Sequence, residues 1–170
     1  MTKESYPLRL AIVGGGFTGV ALAIHALTPK QPLSIDVIEP SEKLGRGAAY
    51  GTTESDHRIN VPSDRMSMFS DDPAHFTRWL FDNKWLPDPA SIDSSGWHFV
   101  PRSAFASYAE DVLACAARRS AKTTSVRVRS TRAVGLTREN GGFRVSRTEH
   151  RLTPTGSRSA PGIFQERPAA

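Results

Sequence analysis

Cysteine is nearly missing: the chain has one, Cys115, in 170 residues. No internal disulfide can form, so an apolar core must hold the fold. Cys115 lies within a helical pattern, beside no partner Cys or His, and reads as a small core apolar group. The histidines, at positions 25, 57, 75, 98 and 150, lack metal-ligand spacing, which argues against a metal. An export signal is also lacking. Leu10 to Leu27 is an 18-residue, mostly apolar run with Lys3 and Arg9 ahead of it, long enough to pass for a leader or a membrane helix. Three consecutive glycines inside it, at roughly 1 kcal/mol each in a helix interior, and His25 exclude the membrane reading. Pro29-Lys30-Gln31-Pro32 follows instead of a small-residue cleavage site. The expected location is the reducing cytoplasm.

A basic body is lacking too. The net charge is +5, but residues 1–117 carry 10 Lys/Arg against 14 Asp/Glu, and residues 118–170 carry 12 against 3. The basicity belongs to the C-terminal third. That third has no nucleic-acid motif and only two aromatics, Phe143 and Phe164, far apart. Charge alone is weak ground for nucleic-acid binding, and neither nucleic acid nor membrane is expected as a partner.

What is present begins at the N-terminus. Leu8 to Val13 is apolar at all but one position and reads as a parallel strand buried on both faces by helices. Gly14, Gly16 and Gly19 follow as G-x-G-x-x-G, and Val20 to Leu27 reads as a helix. Gly14 permits a tight turn, Gly16 lets a pyrophosphate approach the backbone, and Gly19 lets the helix close on the sheet. The positive end of that helix then faces the phosphates. Leu33 to Glu39 is a second strand, and Glu39 stands twenty residues beyond Gly19, where a carboxylate accepts the hydroxyls of an adenosine ribose. This order of strand, glycines, helix, strand and acid predicts an α/β, Rossmann-like dinucleotide-binding domain.

An ordinary nicotinamide-binding unit would next give a helix and a third parallel strand. Residues 40–70 are loop-rich instead. Asp72-Pro73 predicts an N-cap for a short amphipathic helix bearing Phe76, Trp79 and Leu80. Ser103 predicts the cap of a longer helix with Phe105, Tyr108, Val112 and Ala116 on one face. Val126 to Arg129 alternates, Thr131 to Thr137 reads as a strand, and Glu139-Asn140-Gly141-Gly142 is a hairpin turn into Phe143-Arg144-Val145. Two or three antiparallel strands, a small meander, are expected there. From Thr148 to Ala170 no apolar periodicity remains, a linker or disordered composition. The expected division is a dinucleotide domain over 1–147 and a basic segment over 148–170.

Taken together, Ile12 to Gly19, Glu39-Pro40, Leu44 to Thr52, His57 to Pro62 and Asp64 to Ser67 give the chain a recognisable likeness. It resembles the bacterial FAD/NAD(P)-binding family that includes the FAD-dependent urate hydroxylases. The likeness runs over roughly residues 8–145. It implies the N-terminal FAD-binding part of a flavoprotein oxidoreductase or monooxygenase, with NAD(P)H in the full-length family and a small-molecule substrate. It also implies that Gly14, Gly16, Phe17, Thr18 and Gly19 hold the FAD pyrophosphate and Glu39 the ribose. Arg46 would add a charge-assisted phosphate contact, and Asn60 a hydrogen bond on the flavin side. The plainer readings are a solvated Arg46, a turn-capping Asn60 and, for Arg102, either a cofactor contact or a helix-entry charge. Past about residue 147 the likeness stops: Arg151 to Arg158 is too polar and proline-broken for the next central strand, so the domain is expected to be incomplete at the C-terminus. No catalytic residue is named, because in flavin chemistry the cofactor is the reactant. Two alternatives stay open: a non-catalytic cofactor-binding module, and an NAD-binding dehydrogenase module.

Overall fold

The computed structural model describes residues 8–28, 32–139 and 141–148. Three strands form a parallel sheet in the order β1 (Leu8–Val13), β2 (Leu33–Ile38), β3 (Ser125–Arg129). Leu8 to Val13 pairs in register with Leu33 to Ile38, and Ser34 to Ile38 with Ser125 to Arg129. Helix α1 (Phe17–Ala26) links the first two strands. After β2 come a one-turn helix α2 (Gly47–Tyr50), a short helix α3 (His75–Asp82) and the long helix α4 (Arg102–Arg119). Strands β4 (Ala133–Glu139) and β5 (Gly142–Arg147) form an antiparallel hairpin. The architecture is α/β, as expected.

The core lies on one face of the sheet. Ile12 of β1 and Leu33, Ile35 and Val37 of β2 pack with Val20, Ala23 and Ile24 of α1 and with Phe105, Tyr108, Val112 and Leu113 of α4. Phe76 and Leu80 of α3 join them, fully buried. Helix α3 buries these two residues because they lie four apart, on one side of the helix. The opposite sheet face carries polar groups beside Ala11, Val13 and Ile38. Asp36 is completely buried there, with its Oδ1 held by Arg129 Nε at 2.8 Å and by Arg127 Nε at 3.5 Å. Arg127 also donates to Ser34 Oγ at 3.1 Å.

Several expectations are corrected. The doubly buried strand is β2, all six of whose residues are buried, and not β1, whose Leu8 and Val13 are 56% and 62% exposed. Among the described residues β1 pairs on one side only, so its ends lack cover. Strand β3 is parallel to β2, leaving a single antiparallel pair; α4 supplies the long crossover that parallel pairing requires. Helix α3 begins at His75, after Ala74, and Asp72 makes no capping bond; its two oxygens accept instead from the guanidinium of Arg78. Helix α4 begins one residue before Ser103, which makes no capping bond; Pro101 is its N-cap. Cys115 is half-buried, in the wall of an open groove of about 700 Å³ between α1, α3 and α4, and is not a core residue. The turn residue Asn140, and residues 149–170 of the basic segment, lie outside the described residues.

Candidate dinucleotide site

The C-terminal ends of the parallel strands converge at one edge of the sheet. Gly14 N–H donates to Ile38 O at 3.0 Å, and Glu39 N–H donates to Arg129 O at 3.0 Å. The ladder thus continues one step past each strand and holds the backbone of both Gly14 and Glu39. Gly14 has φ of +98°, a conformation that L side chains rarely adopt. At Gly19 a Cβ would lie 1.9 Å from Gly14 O, so the helix approaches the turn as closely as glycine allows.

Gly16 is different. It is the N-cap of α1 with φ −69°, ordinary for any residue, and a Cβ there would meet only the backbone of Gly47, Cα at 3.5 Å and N at 3.9 Å. Neither backbone strain nor internal packing demands glycine at this position. Helix α1 has no capping side chain and no carboxylate in its first turn, so its free N–H groups present a positive end at Gly16. Phe17 turns its ring inward against Tyr50 and Phe105, with ring centroids 6.2 and 5.3 Å away, which leaves its backbone for a ligand. Thr18 is exposed on the same first turn.

Glu39 is already oriented. One carboxylate oxygen accepts from Gly15 N–H at 2.8 Å and the other from Ser41 N–H at 2.9 Å. Each oxygen keeps a lone pair for a further donor. Gly15 was given no role by the motif. A Cβ there would lie 2.8 Å from Glu39 Cβ and Cγ and 2.5 Å from Leu44 Cδ2, so this glycine seats the acid. Its only sequence signal is its place in a run of three glycines.

A second glycine-rich segment crosses the first. Gly45 N–H donates to Gly15 O at 2.8 Å, and Gly47 lies against Gly16. Arg46 is carried between those two contacts, and its Nε donates to Glu110 Oε1 of α4 at 3.2 Å. Arg102, at the start of α4, donates to Arg58 O at 3.1 Å and to Ala49 O at 3.4 Å, tying α2 to the polypeptide that follows it. Asn60 is exposed, and the bond that positions it runs from Ile59 N–H to Val100 O, beside α4 and not the glycine turn. Gly14, Gly16, Gly19, Glu39 and Arg46 are therefore gathered at one sheet edge, while Asn60 is held separately. Among the described residues there is no group of three or more metal-binding side chains, and no helix is long and apolar enough to cross a membrane.

A parallel sheet whose glycine turn, helix N-terminus and strand-end acid meet at one edge defines a dinucleotide-binding protein of Rossmann type. The family model described as FAD-NAD(P)-binding matches residues 11–156, and the chain belongs to that family. No curated protein matches it. Among solved structures, THI4 of Thermovibrio ammonificans is 18% identical with a TM-score of 0.42, over 82% of this chain and 46% of that one. FqzB is 15% identical with a TM-score of 0.49, over 84% and 34%. The L-amino acid deaminase from Proteus vulgaris is 10% identical with a TM-score of 0.38, over 84% and 44%. The chain thus spans less than half the length of each of these three structures.

Proposed function

We propose that the chain is the FAD-binding part of a flavin-dependent oxidoreductase, of the monooxygenase type represented by the urate hydroxylases. The observation that carries the reading is Gly16: a glycine that its own fold does not require, at the positive end of α1, within the same sheet edge as Glu39. Space kept free at a helix N-terminus is what a pyrophosphate needs. The residues present fit the group. Gly14, Gly16, Phe17, Thr18 and Gly19 would line the pyrophosphate, Glu39 would take the ribose hydroxyls, Arg46 would add charge, and Asn60 would reach the flavin side. When bound, FAD supplies the redox chemistry, and this part of the chain binds and orients it. Glu39 also disfavours a 2′-phosphate by repulsion. The long segment between Glu39 and α4 supports FAD over NAD, since a nicotinamide-binding unit would go straight to its next helix and strand. The cofactor-binding unit is assigned to residues 1–147, with the basic segment 148–170 outside it. The substrate is a small molecule, and the location proposed is the cytoplasm. The test is a visible spectrum of the purified chain, followed by titration with FAD and, separately, NADH. A weak but saturable FAD titration is the expected result. Binding of NADH alone would favour the dehydrogenase module instead.

A further inference from the structure

Arg46 and Glu110 are 64 residues apart in sequence, yet they form an ion pair at the rim of the glycine turn. Both are partly shielded, with side chains 23% and 33% exposed. The contact uses only Nε of the guanidinium. The Arg46 side chain makes no other hydrogen bond among the described residues, so both terminal nitrogens remain for a ligand. Its backbone is fixed on both sides: Gly45 is bonded to Gly15, and Gly47 lies against Gly16. Gly45 itself is pressed onto α4, where a Cβ would come within 2.8 Å of Ala109 Cβ, next to Glu110. Helix α4 therefore meets this loop twice in succession, by packing at Gly45 and by charge at Arg46.

We propose that Glu110 is a positioning residue for the cofactor diphosphate: it grips Nε of Arg46 and so turns the free edge of the guanidinium toward the anion at Gly16. This rests on the dinucleotide reading of the site. A guanidinium is a planar fork, and fixing one edge pre-orients the other at little further entropic cost. A carboxylate in that neighbourhood has an opposite effect if it acts only as a charge, since it repels phosphate. The two roles therefore predict changes of opposite sign on removal.

The experiment is FAD titration of the purified chain, followed by flavin fluorescence, for wild type, Arg46→Ala, Glu110→Ala, Glu110→Gln and the double alanine variant, with thermal melts of each. Glu110→Ala is expected to weaken FAD binding about three- to tenfold, in line with one charge-assisted hydrogen bond. Glu110→Gln, which keeps an acceptor for Nε, should restore binding to within about twofold of wild type. In the Arg46→Ala background, Glu110→Ala should have no further effect. Unchanged or tighter binding by Glu110→Ala would overturn the inference, as would an equal loss in both backgrounds. Gly16→Ala separates the two levels. If it abolishes binding while both Arg46 and Glu110 variants bind normally, the dinucleotide reading stands and the role of Glu110 falls. If wild type binds no FAD at all, both fall.

Discussion

Three glycines of one motif do three different jobs, and substitution distinguishes them. Gly19→Ala drives a methyl group into Gly14 O, a backbone atom that cannot move aside. We expect a loss of about 3 kcal/mol, the upper end of overpacking costs, read as a lower urea midpoint at unchanged slope. Gly16→Ala meets no such obstacle in its own fold. It should melt within about 2 °C of wild type, yet bind FAD at least tenfold more weakly, because the methyl group occupies the phosphate's approach. A variant that melts normally and binds normally would show that the open space at Gly16 serves no ligand. Glu39→Arg replaces the ribose acceptor with a donor of opposite charge and also removes the bonds to Gly15 and Ser41. FAD affinity should be lost in titration; an unchanged affinity would remove Glu39 from the site.

At the scale of elements, two polar contacts hold pieces of the fold together. Asp36 of β2 receives Arg129 and Arg127 of β3, which fastens the crossover strand to the sheet centre. Asp36→Ala leaves two arginines that are 39% and 51% exposed and can rehydrate, so the cost falls below that of breaking a fully buried pair. About 1–3 kcal/mol by urea denaturation is expected, with the loss located at β3 by hydrogen exchange. The second contact joins α3 to α4. Met68 N–H donates to Tyr108 Oη at 3.4 Å, so the Tyr108 hydroxyl hydrogen is free for His75 Nδ1, 2.8 Å away. In that arrangement His75 accepts and is neutral. Burial lowers its pKa below the usual value, with Arg78 adding to the effect and Asp72 opposing it. The folded state thus takes up this proton at lower pH than the unfolded chain. The stability it contributes is complete above the ordinary histidine pKa of about 6.5 and declines as pH falls through the folded value. His75→Gln should flatten the fall in melting temperature between about pH 7 and pH 5; an unchanged slope would place the acid sensitivity elsewhere.

At the scale of the whole molecule, the sheet is centred on β2, and β1 has one open side among the described residues. Amides of β2 should therefore be the slowest to exchange and those of β1 distinctly faster, although β1 carries the more apolar stretch. The reverse order would mean that another segment covers β1. A ligand that binds only the folded state stabilises it by mass action, about 2.7 kcal/mol at a hundredfold excess over Kd. For a chain of this size that is about 5–10 °C in melting temperature. FAD should produce such a shift and NADH should not.

Much of the cofactor edge was legible in the sequence because its determinants are local. Gly14 needs its φ, Gly19 needs its missing Cβ, and Glu39 follows the apolar run of β2, so each leaves a mark within a few residues of itself. The glycine turn, α1 and β2 stand where those marks indicate. The rest depended on partners far along the chain. Which strand is central was decided by β3 arriving beside β2, about 90 residues later, and no periodicity in Leu8 to Val13 reports that. The arginines of Val126 to Arg129 leave only an alternation in the sequence, which records polarity but not the buried carboxylate opposite. Asp72 and Ser103 matched capping preferences, yet Arg78 occupied the first, and α4 began at Arg102, ahead of the second. Arg46 was visible as a charge in a glycine loop, whereas its grip by Glu110 was not, since a pair 64 residues apart leaves no local trace. Local conformational need is written in neighbouring residues; pairing, burial and ion partners are settled only when the chain closes on itself.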